Sequence, residues 1–186
     1  MGDAWVNPSA RPRSRERRAT NSPRRGRTSA PLDRTEAQRV AYELLSRKAW
    51  THRELLLRLQ RRGAPAPIAE DVIKDLEQQG YVDDQAFALA WAETRARQRH
   101  LGGRRLRQEL VKKGVAPSAV ENAIEQAFGP SGEEAEALVA ARREWPRLLR
   151  RGAEKAPRRL RDHLLRRGFS AELVEPLVKQ MARLEM

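Results

Sequence analysis

From Thr35 onward the apolar residues recur at helical spacing, and no short stretch alternates as a half-buried strand would. Val40, Ala41, Leu44 and Leu45 form one stripe, and Thr35-x-x-Gln38 ahead of it predicts a capping-box start. Thr51-x-x-Glu54 predicts a second start, with Leu55 and Leu59 carrying the stripe to Gly63. Asp83 and Asp84 precede Phe87, Leu89 and Trp91; Ser131-x-x-Glu134 precedes Leu138 and Val139. Gly63, Gly114 and Gly168 each follow two basic residues, the place of a glycine just past a helix C-terminus. The pattern predicts an all-α chain.

It also repeats. Arg53-x-Leu55-x-x-x-Leu59-x-Arg61-Arg62-Gly63 aligns with Arg104-Arg105-Leu106-x-x-x-Leu110-x-Lys112-Lys113-Gly114. Both align with Arg158-Arg159-Leu160-x-x-x-Leu164-x-Arg166-Arg167-Gly168. Ala69/Ile73/Leu76, Val120/Ile124/Ala127 and Val174/Val178/Met181 follow at equal offsets from each glycine, so each glycine separates two helices. A further helix precedes each pair, at about 36–47, 84–99 and 133–150. The reading is three tandem three-helix modules, 36–80, 81–129 and 130–186, forming an elongated, curved, repeat-like body. A module of about 45 residues is near the lower limit for an independent core, so each leans on its neighbours. Trp91, Phe128 and Trp145 are packing residues by spacing, and Pro146 bends or ends the seventh helix.

Composition sharpens the picture. The net charge is +13, and residues 1–35 hold nine Arg against three acids, with four prolines and almost no large apolar residue. Such a segment cannot bury enough surface to offset its ordering entropy, which predicts a disordered basic arm. The chain lacks Cys, so disulfides, thiolate metal sites and thiol chemistry are excluded. The longest apolar run, Phe87–Ala92, cannot span a bilayer, and residues 1–35 contain no secretory apolar segment. A cytoplasmic protein with no membrane contact is the expectation, and the high charge with few aromatics points to a monomer.

Enzymatic signatures are missing. No phosphate-binding G-x-x-x-x-G-K-[ST] or nucleophile-elbow G-x-S-x-G is present. His52, His100 and His163 are scattered without metal-ligand spacing, and the reading assigns no catalytic residue, cofactor or metal. Asp83-Asp84 at a helix start serves to cap free N–H groups. Cations dominate instead. Arg95–Lys113 holds eight Lys and Arg against Glu109, and Arg142–Arg167 holds eleven against three acids. Arg104, Arg105, Arg107, Lys112, Lys113, Arg158, Arg159, Arg161, Arg166 and Arg167 are therefore the candidate contacts to a polyanion. Of these Lys113 and Arg167, like Arg62, lie near the apolar stripe, where a snorkelling stem at a helix C-terminus is the structural reading.

The run Leu44-Leu45-Ser46-Arg47, the segment Gly80-Tyr81-Val82-Asp83-Asp84-x-x-Phe87-Ala88 and Gly103-x-x-x-Leu106-x-x-Glu109-Leu110-x-x-Lys113-Gly114-Val115 resemble the RecX regulatory proteins. The match is good over about 36–128 and looser over 131–184, and leaves the arm outside. The resemblance implies a curved body of three three-helix modules. It also implies binding to the RecA recombinase filament on single-stranded DNA, dampening its ATPase, strand exchange and coprotease activities, with no catalytic residues. A helix-turn-helix-like protein acting on bare DNA is the rival reading; the Arg/Lys-rich helices offer it few Asn, Gln or Ser for base edges. A helical scaffold for an acidic protein is the third.

Overall fold

Each three-helix group buries one leucine-rich face. The computed structural model describes residues 30–183 and, among them, nine α-helices, two 3-10 turns and no strand. The arm, but for its last residues, lies outside the described residues. The first group is α1 (Arg34–Leu45), α2 (His52–Arg61) and α3 (Ala66–Gln78); the second is α4 (Asp84–Arg99), α5 (Gly103–Lys112) and α6 (Pro117–Phe128). The third is α7 (Gly132–Arg150), α8 (Ala156–Arg167) and α9 (Ala171–Arg183). Packing is dense within a group and thin between neighbours, so the chain folds as three cores in tandem. Leu55/Leu59, Leu106/Leu110 and Leu160/Leu164 are fully buried at equivalent places. Each contributes about 1.5–3 kcal/mol relative to exposure.

The three glycines end α2, α5 and α8 in one motif. In each, the residue after the glycine donates back five positions: Ala64 N to Leu59 O (3.1 Å), Val115 N to Leu110 O (3.2 Å) and Phe169 N to Leu164 O (3.3 Å).

Three expectations change. The first helix starts at Arg34, not past Thr35: Asp33 accepts from Glu36 N at 2.8 Å and Glu36 reciprocates at 3.2 Å, completing the capping box two residues earlier. On α4 the expected Phe87, Leu89 and Trp91 do pack against the core, but half-buried at its flanks; the fully buried face is Ala88, Ala92 and Ala96, whose small side chains let α6 approach closely. Pro146 neither ends α7 nor interrupts it. Trp145 and Leu148, buried on either side of it, hold the helix on the third core through the missing hydrogen bond.

The modules meet end to end through their middle helices. At the first junction the hydroxyl of buried Thr51, at the N-terminus of α2, donates to Lys113 O (2.7 Å) at the C-terminus of α5. It also accepts from Glu54 N (3.2 Å), while Glu54 turns away to Lys113 Nζ (2.9 Å). Asp83 caps its own helix, but Asp84 accepts from His52 N (2.8 Å) and so caps α2 in the neighbouring module. At the second junction Gly102 N donates to Arg167 O (2.9 Å) and Arg104 N to Gly168 O (3.1 Å), while Glu133 accepts from Gly103 N (2.7 Å). The free carbonyls of α8 thus satisfy the free N–H groups of α5, and the helix dipoles meet in the favourable sense. The approach leaves no room for a side chain: a Cβ on Gly102 would lie 2.4 Å from Phe169 N.

Candidate nucleic-acid interface

The second junction positions a cationic groove. Helix α4 ends at Arg99, and His100 follows in the left-handed conformation (φ 49°), turning the chain into Leu101 and Gly102. This turn lies against α7 and the end of α8, and the three elements enclose a groove of ≈ 750 Å³. Its charged lining is Arg99 from α4, Arg143, Glu144 and Arg147 from α7, and Arg166 and Arg167 from α8. The one carboxylate there, Glu144, pairs with Arg147 at 3.3 Å. Arg99, Arg143, Arg147 and Arg166 are exposed. Arg167 is a strut: its guanidinium donates to the carbonyls of Arg99 and His100 and to His163 Nε2 (2.8 Å), tying α8 to the end of α4. Five guanidiniums around one neutralised carboxylate suit a phosphate-rich or carboxylate-rich partner.

His163 reports this charge. Burial, then Arg167, with Arg166 and Arg147 adding to it and Glu144 opposing, hold its imidazole below the ordinary pKa of 6.5. A bound polyanion offsets those cations and raises the pKa, so binding takes up a proton. The sign follows: polyanion affinity increases as pH falls through the interval between the depressed pKa of the free groove and the higher pKa of the occupied one. One proton limits the slope to about tenfold per pH unit. Titration of a single-stranded oligonucleotide at a series of pH values should show this rise, and His163→Gln should flatten it. A wild-type profile as flat as the variant's would disconnect His163 from the bound anion.

The ten cations singled out by sequence divide in this setting. Arg166 and Arg167 line the groove. Arg104, Lys112 and Arg158 are exposed on α5 and α8, without an acidic partner among the described residues. Arg105 contacts Glu109 (3.4 Å), and Arg159 donates to Arg151 O (2.7 Å). Arg107 forms a two-point pair with Glu121, both bonds 2.6 Å, and Arg161 pairs with Glu175 (2.5 Å). Lys113 is enclosed at the first junction, held by Glu54 with its ammonium 4.3 Å from the Trp91 ring centroid. Sequence reasoning did not single out Arg99, Arg143 and Arg147. Their signal was present only as charge runs, because the repeat register points to the second helix of each module and these three lie on α4 and α7.

Comparison with known proteins gives consistent relatives. A family model described as "RecX, second three-helix domain" matches residues 83–124. The regulatory protein RecX of Streptomyces coelicolor is 36% identical over 164 residues, covering 87% of this chain and 86% of that protein. That of Deinococcus radiodurans is 29% identical over 169 residues, covering 91% and 79%. The crystal structure of RecX from Lactobacillus salivarius superposes with a TM-score of 0.71 at 17% identity, covering 80% of this chain and 96% of that one. This last likeness is one of fold.

Proposed function

The chain belongs to the RecX family of regulatory proteins, and on that premise we propose that it is a non-catalytic regulator of the RecA recombinase filament on single-stranded DNA. In this reading it acts as a monomer and mainly inhibits ATP hydrolysis, strand exchange and coprotease activity. The observation that carries the reading is the groove between the second and third modules, where five guanidiniums face one already paired carboxylate. Phosphates of the bound strand, or acidic protein surface beside them, match it in charge. Contact spread over tandem modules suits a partner that is itself a repeating lattice, since one molecule then touches adjacent protomers and holds them against turnover.

Bare-DNA recognition in the helix-turn-helix manner fits less well. That geometry puts the last helix of a three-helix unit into the major groove, and α6 carries Glu121 and Glu125 with no Lys or Arg. A titration of single-stranded-DNA-dependent ATP hydrolysis by a RecA-type recombinase, at excess DNA, tests the proposal. Inhibition well below one molecule per recombinase protomer is the expected result. Full activity at stoichiometric amounts with the cognate recombinase would refute it.

A further inference from the structure

A second groove lies between the first two modules and differs in kind. It encloses ≈ 570 Å³, and its walls include Trp50, Tyr81, Phe87 and Trp91, with Ala90 and Arg95 along α4. Single-stranded nucleic acid is the obvious occupant of an aromatic groove, through base stacking. The ring faces argue otherwise. Lys48 Nζ sits 3.7 Å from the Trp50 centroid and the Arg58 guanidinium 4.8 Å from it. Trp91 carries Arg95 at 4.1 Å and Lys113 at 4.3 Å, and also stacks on Phe87 at 5.8 Å. The tryptophan faces a base would need are thus already covered by cations. What the groove still offers is an apolar floor, made by the exposed small side chains of Ala86 and Ala90, beneath a rim of guanidiniums.

Its single carboxylate, Asp83, is occupied in capping α4, accepting from Gln85 N and Ala86 N at 2.9 Å. Arg95 and Arg99 are left to face the occupant, and Arg99 also lines the cationic groove, so the two grooves join at the end of α4. Apolar volume under a cationic rim complements one kind of ligand. We infer that this groove docks an acidic peptide segment with aliphatic anchor residues, presented by a protein partner. The anchors enter over Ala86 and Ala90, and the acidic residues meet Arg95 and Arg99. The inference rests on the filament reading only for the partner's identity.

The test uses the full chain and two fluorescent probes: a synthetic amphipathic peptide with leucines at helical spacing and glutamates between them, and a poly(dT) oligonucleotide. Ala90→Arg places bulk in the groove while adding positive charge, at an exposed position that leaves the cores untouched; Thr94→Arg, one turn on and also exposed, is the second variant. Both should weaken peptide binding by about tenfold or more and leave poly(dT) binding equal or tighter. Peptide binding that is absent from the wild type, or unaffected by both variants, would overturn the inference. So would loss of poly(dT) binding in both variants, which would make the groove a site for the strand itself. Saturable, variant-sensitive peptide binding by a protein that leaves the recombinase uninhibited would support the groove and remove the filament reading alone.

Discussion

Gly168→Ala should detach the third module from the second. Gly168 holds φ +93°, where an L side chain is strained, and a Cβ there would lie 2.4 Å from both N and Cβ of Arg105. The colliding N belongs to backbone, so the junction must open to admit the methyl group. Opening it breaks the bonds from Gly102 N to Arg167 O and from Arg104 N to Gly168 O. Strain of about 1–2 kcal/mol from the left-handed backbone adds to roughly 1 kcal/mol for each hydrogen bond lost. A total above about 3 kcal/mol, with the third module melting apart from the rest, is the expected outcome in thermal unfolding followed by circular dichroism. Gly63→Ala is the matched comparison. Gly63 has φ +100° but open space where the Cβ would go, so only the strain applies. Equal losses in the two variants would mean that the close approach of α5 and α8 contributes nothing to stability.

The second large effect is on binding. Reversing Arg99, Arg147 and Arg166 together to Glu converts the groove from cationic to acidic at three exposed positions. At about 1 kcal/mol or more for each charge-assisted contact, with repulsion added, affinity for the recombinase filament should fall by more than about a hundredfold. For direct binding to a single strand, the slope of log affinity against log salt should shrink by about 2, from roughly 0.7 per phosphate contact. Arg107→Ala provides the contrast, since its guanidinium already satisfies Glu121 through two bonds and should leave affinity within about twofold. Inhibition of ATP hydrolysis and fluorescence anisotropy would read both. A folded triple variant that inhibits like the wild type would move the interface elsewhere.

The cores were legible because they obey local rules. Each Leu-x-x-x-Leu pair, followed by two cations and a glycine, specifies a buried stripe and its end, and these recur at Gly63, Gly114 and Gly168. Local rules also overlap. Thr35-x-x-Gln38 has the capping-box pattern, yet the box that forms is Asp33 with Glu36, two residues earlier, where carboxylates at both positions accept the free N–H groups. The groove lay beyond such rules. Arg99, Arg143 and Arg166 converge because His100 turns the chain where α8 ends, a meeting of segments far apart in sequence. Helical register set Lys113, beside the apolar stripe, apart from Lys112, but did not show what would hold it. Adjacent and chemically identical, they differ because Glu54 of the neighbouring module reaches only the first.

The end-to-end meeting of α8, α5 and α2 leaves two outer ends, the C-terminus of α2 and the N-terminus of α8, where a further copy would join the series. A joint that links successive modules of one chain is by nature heterologous, and an open heterologous joint propagates into fibres. Here both outer ends are stoppered from within. At the far end of α2 the carbonyl of Gly63 already accepts Leu32 N at 3.0 Å. At the near end of α8 a 3-10 turn over Ala153–Lys155 leads into the helix, and Pro157 in its first turn removes a donor that an incoming helix would need. The contact forms twice within the chain, and at each outer end one of the groups that would form it a third time is already used or missing.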